Sequence, residues 1–177
     1  MDTGPDAVAF TAYGVHLREW RADDAEVMSH LFDTEQMNRW TPLPSPFDPE
    51  VAAAYIAAAH QARQRDGTLQ LAICAASAGP ALGEVLAFPA EQADTLELAY
   101  AVGAEHQGLR LAARAVCALL ELARLGRRSR ALLTISVDNG PSRGTALAAG
   151  FARTTTPLRT RERKGFVLQM ETWERSL

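Results

Sequence analysis

From Glu97 to Leu122 the chain reads ELAYAVGAEHQGLRLAARAVCALLEL: an alternating stretch, a short loop past Gly103, then a long apolar-striped segment. This order predicts a strand and a helix beginning near Gln107, whose first backbone N–H groups lack partners within the helix. Such amides, backed by the helix dipole, hold phosphate without help from side chains. Gly108 and Ala112 are small enough for close approach, and Arg110 and Arg114, one turn apart, add positive charge to one side. The same residues also suit an ordinary strand–loop–helix packing unit, because glycine turns before helices are common. Glu97 shares its strand face with Ala99 and Ala101, which leaves room for a bound molecule beside a carboxylate; it equally suits a solvated strand edge. None of His16, His30, His60 and His106 has a second ligand at metal spacing, so no metal is expected. Cys74 and Cys117 form no CxxC pair and read as buried, reduced thiols.

Positioning these groups falls to a mixed α/β domain, since period-2 and period-3.6 segments alternate along the chain. Val15, Leu17 and Glu19 alternate with His16, Arg18 and Trp20 as an opening strand. Asp23 and Asp24 offer a cap for a short helix, and the three prolines within residues 35–47 predict an irregular stretch. Asp48 followed by Pro49 starts a helix that ends at Gly67. Three antiparallel strands begin at Leu69, Leu82 and Leu96. The helix carrying Leu111, Ala115, Leu119 and Leu122 ends at Gly126, and Leu132 to Val137 returns as a strand. The unit Leu96–Val137 is thus a βαβ crossover with parallel strands. A short helix, Pro141 to Ala149, and two strands near residues 151–156 and 164–173 complete the chain.

At 177 residues, 47 % apolar and 22 % charged, the chain is expected to form one domain over residues 1–177. A net charge of -3 argues against a nucleic-acid binder. The amino-terminal MDTGPDAVAF has no signal-peptide pattern, and no apolar run is long enough to span a bilayer, so a cytoplasmic protein without a membrane partner is expected.

The segment AYAVGAEHQGLRLAARAV resembles motif A of the GNAT superfamily of N-acetyltransferases, Gln/Arg-x-x-Gly-x-Gly/Ala, which cradles the pyrophosphate of coenzyme A. Gln107 and Ala112 match its ends, whereas Arg110 replaces the middle glycine and either clamps a phosphate or crowds it. A helical Arg110 would keep its N–H available. Asn139-Gly140-Pro141-Ser142, followed by Gly150-Phe151, is similar to the N-x-x-S…G-F signature of the RimJ/RimL-type branch. The likeness runs from about residue 14 to 173. It implies a GNAT fold: a mostly antiparallel sheet of about seven strands, a splayed central parallel pair and about four helices.

The resemblance also implies function. Acetyl-CoA would donate an acetyl group to a primary amine, on a peptide N-terminus or a small molecule, by direct attack in a ternary complex. The amine must shed a proton, so a base is needed. Glu97 is the first candidate and Glu84, on the neighbouring strand, the reserve. An N–H near Val102 would face the acyl oxygen, and Ser142 would protonate the departing thiolate or simply cap its helix. The tyrosine that many relatives use is Ala146 here. The cofactor set implied is Val102, Gln107, Gly108, Leu109, Arg110, Leu111, Ala112, Asn139 and Ser142. Trp40, Glu84 and Tyr100 would face the acceptor. A homodimer is frequent in such families. The other expectation is a non-catalytic acyl-CoA-binding or assembly module of the same fold.

Overall fold

A computed structural model describes residues 8–177; the first seven residues of the stretch read as lacking a signal peptide lie outside it. Strands β1 (Ala9–Ala12) and β2 (Val15–Glu19) form a hairpin through Tyr13 and Gly14, both at positive φ, as the type I′ hairpin turn requires. Helices α1 (Ala25–Phe32), α2 (Glu35–Trp40) and α3 (Pro49–Asp66) follow. Next come β3 (Leu69–Cys74), β4 (Ala81–Pro89), β5 (Thr95–Val102), α4 (Leu111–Leu125), β6 (Arg130–Ser136) and α5 (Gly140–Ala148). Strands β7 (Ala152–Arg153), β8 (Arg159–Arg163) and β9 (Phe166–Ser176) end the chain.

These strands make one sheet in the order β1-β2-β3-β4-β5-β6-β9-β7, with β8 also paired to β9. Among the described residues only β5 and β6 run parallel, joined by α4 as the crossover. One sheet face packs Leu17, Ile73, Val85 and Leu98 against Leu119 and Val116 of α4. The other packs Ala72 and Cys74 against Trp20, Phe32, Phe47 and Ile56 around α1 to α3. There Trp20, Phe32, Phe47 and Tyr55 follow one another edge to face, with centroids 6.2, 6.1 and 6.0 Å apart. The two terminal nitrogens of the buried Arg18 donate to Asp24 at 2.6 and 2.8 Å, which ties β2 to the turn before α1. Among the described residues, no helix is long and apolar enough to cross a membrane.

The elements expected from periodicity are present, α3 between its Asp48 cap and left-handed Gly67 most plainly. The count differs: the described residues form nine strands rather than about seven and five α-helices rather than about four. Strand β1 carries one large apolar residue, and β8, RTRER, carries none, so neither shows a hydrophobic alternation. Helix α2 occupies part of the stretch expected to be irregular; Thr34 caps it by accepting the Met37 amide at 3.2 Å, and the prolines begin only after it ends. The strand expected over 151–156 shrinks to the two residues of β7.

Gly83 on β4 is where the sheet is tightest. A Cβ there would stand 2.4 Å from the Ala101 carbonyl oxygen and 2.9 Å from Val102 Cα, both backbone atoms that can yield only by moving β5. Gly83→Ala is therefore expected to cost roughly 1–3 kcal/mol of stability, the usual range for overpacking, read from the midpoint of urea unfolding.

Candidate active site

Helix α4 starts at Leu111, not near Gln107, because Arg110 takes the left-handed conformation (φ 55°) rather than a helical one. This is the position at which the motif carries glycine, and the positive φ supplies the reason: a side chain there costs about 1–2 kcal/mol. The amides at the start of α4 lack intrahelical partners, and Gly108 (φ 79°) has open space where a side chain would stand. The positive side expected from Arg110 and Arg114 does not form. Arg114 instead reaches the Gly14 carbonyl at 3.1 Å, in the β1–β2 turn.

Beside this loop the sheet parts. Pairing of β5 with β6 ends at Leu98 and Leu133. The Gly103 amide bonds the Leu82 carbonyl at 3.0 Å, so the alternation of an antiparallel ladder turns the Val102 and Tyr100 amides away from β4. Both open into the gap. Gln107 sits across its mouth, its side-chain amide donating to Gln36 (3.1 Å) and to the Val102 carbonyl (3.3 Å).

The far wall is α5. Asn139 caps it, its Oδ1 accepting the Ser142 amide at 3.1 Å. The Tyr100 hydroxyl donates to the Ser142 carbonyl at 2.7 Å, and burial pushes that phenol up to about 12, so it stays a neutral donor. Behind the wall, buried Glu171 forms ion pairs with Arg143 of α5 at 2.9 Å and with Arg153 at 2.8 Å.

These walls enclose a cleft of about 860 Å³. Of the residues expected from sequence, Trp40, Tyr100, Val102, Gln107, Gly108, Arg110, Leu111, Ala112, Asn139 and Ser142 line it. Leu109 does not: it points outward and is 63 % exposed. Glu97 also stands outside, on the still-paired part of β5, exposed and bonded by the Thr134 hydroxyl at 2.9 Å. Sequence reasoning missed Gln36 and the room left by Gly144 and Ala148, which also line the cleft. The repeat of small residues four apart on α5 was the available signal.

Glu84 is fully enclosed beneath the cleft, directly opposite the lining residue Ala101. It accepts from Trp20 Nε1 at 2.8 Å and from the Tyr55 hydroxyl at 2.9 Å. Burial outweighs these two donors and pushes its carboxyl up to about 7.

Residues 15–152 match the family model described as acetyltransferase (GNAT) domain. The sequence has no significant match among curated proteins. Among solved structures, the fold resembles the microcin C7 self-immunity acetyltransferase in complex with acetyl-CoA and AMP (20 % identity, 93 % of each chain, TM-score 0.82). It also resembles RimJ of Mycobacterium smegmatis in complex with CoA-disulfide (18 % identity, 96 % of this chain and 86 % of that one, TM-score 0.81). A third likeness is to RimL, a ribosomal L7/L12 α-N-protein acetyltransferase, in complex with coenzyme A (15 % identity, 96 % and 98 %, TM-score 0.84).

The Glu84 environment sets a pH dependence whose sign follows from proton binding. The folded protein holds this proton more tightly than the unfolded chain, so its contribution to stability is full below about pH 4.5 and is lost as pH rises through about 7. Across that window the stability difference between wild type and Glu84→Gln should shift by about 3 kcal/mol in favour of the variant. Urea unfolding of both proteins at pH 5 and pH 8 measures it; a constant difference would mean that Glu84 is ionised throughout.

Proposed function

The chain belongs to the acetyltransferase (GNAT) domain family, and we propose that it transfers the acetyl group of acetyl-CoA to a primary amine in a ternary complex. The observation that carries this reading is the coincidence of two sets of free main-chain donors: the amides opening α4 and those of Tyr100 and Val102 in the strand gap. The residues suit the cofactor. The cleft is roomy, nothing crowds Gly108, and the α4 amides point where a diphosphate binds best.

Bound acetyl-CoA supplies an acetyl group already activated as a thioester. Amides from Gly108 to Ala112 hold the diphosphate, and Asn139 with Ser142 flanks the pantetheine arm. The Val102 amide donates to the acyl oxygen, a fixed donor that needs no rearrangement. The Ser142 hydroxyl delivers a proton to the departing sulfur. The attacking amine must be neutral, and Glu84 is tuned to accept its proton near pH 7. Glu97, outside the cleft, would act only at the outer end of the acceptor path. The amine belongs to a peptide N-terminus or a small molecule, with Trp40 beside it.

Two substitutions test the reading. Ala112→Glu sets a carboxylate against the diphosphate and should weaken acetyl-CoA binding at least ~10-fold by calorimetry, about 1.4 kcal/mol, the order of the repulsion between like charges a few ångströms apart near a protein surface. Unchanged affinity would place the diphosphate elsewhere. Ser142→Ala should lower turnover ~10- to 1,000-fold with acetyl-CoA affinity retained, the range of general acid catalysis, read as coenzyme A released from a panel of amines. Full activity would leave Ser142 as a helix residue only. Acetyl-CoA binding without coenzyme A release from any amine would favour the non-catalytic module.

A further inference from the structure

The β8–β9 hairpin carries a row of arginines that the transfer chemistry does not use. Arg159, Arg161 and Arg163 lie directly opposite Met170, Leu168 and Phe166 on β9. Met170 in turn lies opposite Ser136 of β6. Opposed residues share a sheet face, and Leu133 and Ile135 of β6 point into the core beneath α4. Ser136, Met170 and the arginine row therefore occupy the other face, where Ser136, Leu168 and Met170 are buried while Arg159 and Arg161 stay exposed.

The row begins at the cleft. Arg163 donates to the Trp40 carbonyl at 3.3 Å, and Trp40 lines the cleft. The Arg39 guanidinium rests 4.7 Å from the centroid of the Trp40 ring and 5.6 Å from that of Phe166, which closes the same corner. Arg159 and Arg161 are exposed, and among the described residues neither enters an ion pair. Glu162 falls between Arg161 and Arg163 in sequence and so projects from the opposite face.

We infer that this row selects the acceptor, binding an extended peptide with acidic side chains a few residues beyond its reacting amine. The inference rests on the acetyltransferase reading and adds the substrate class to it. Three arginines at every second residue span about 14 Å, at roughly 3.4 Å per residue. A small amine is too short to touch more than one of them, whereas an extended peptide has the same repeat. A long polyanion such as RNA is disfavoured by the chain's net charge of -3.

The test compares two peptides that share an N-terminal residue and differ in carrying Glu or Gln at alternate later positions. At low salt the Glu peptide should give a kcat/KM about 10-fold higher, the sum of a few exposed charge pairs. The preference should vanish at about 0.5 M salt, where screening is nearly complete. Arg159→Gln with Arg161→Gln should abolish it while leaving acetyl-CoA affinity and turnover of a small amine unchanged. Equal use of both peptides by the wild type overturns the inference. So does a double variant that aggregates yet keeps the preference, because the arginines would then only guard the sheet edge. An oligoribonucleotide bound through the same two arginines, with no preference between peptides, assigns the row to nucleic acid and also overturns it. Should no amine be acetylated, the proposed function fails by itself; fluorescence anisotropy of the labelled peptides then decides whether the row prefers acid.

Discussion

Backbone amides demand partners, and this fold leaves a run of them without any at the point where β5 and β6 diverge. Pairing stops at Leu98 and Leu133, yet β5 continues to Val102. Its outward amides cannot be buried dry, since each unsatisfied group would cost on the order of 1–3 kcal/mol. They must meet water or a ligand. The sheet tolerates the divergence because both strands are held elsewhere, β5 by its full ladder with β4 and β6 by β9 through Ser136. Close contact at Gly83 keeps the β4–β5 ladder intact up to the last residue. The cleft is thus an interruption in hydrogen bonding that the surrounding sheet is built to carry.

Much of this arrangement is legible from sequence because it rests on strong local signals. Asp48, Pro49 and Gly67 delimit α3, and the alternation from Leu96 followed by the stripe from Leu111 marks the crossover. Where local signal is weak, the reading fails for identifiable reasons. Strand β8 is specified by the ladder with β9, not by its own side chains, which are charged or polar throughout. Arg110 reads as helical because its composition suits a helix; its left-handed turn arises from the loop's path into α4. Glu97 looked like the better base because small neighbours suggest space, but the space lies farther along the strand, beyond the last paired residue. Glu84 ranks only as the reserve because sequence does not disclose that Trp20 and Tyr55, 64 and 29 residues away, converge on it.

Charge follows the same rule. The overall value of -3 conceals a segregated surface, in which carboxylates such as Asp24, Glu84 and Glu171 are sequestered while the arginines of β8 face solvent. The wall formed by α2 is fastened to the β8–β9 turn by Arg163 on the Trp40 carbonyl and by Lys164 on Asn38 and the Leu43 carbonyl. This wall of the cleft and the sheet edge are in this way a single unit.

The two helices that flank the cleft are unequal. Eight residues of α4 are buried, whereas α5 buries only Ala146 and is held mainly through its first half, by the Asn139 cap, the Tyr100 hydroxyl on the Ser142 carbonyl and Arg143 on Glu171. Local opening follows the area of apolar contact, so α5 fluctuates away from the sheet far more often than α4 does. Its amides accordingly trade hydrogen for deuterium first, and a molecule bridging the cleft slows that exchange on one bank while scarcely altering it on the other.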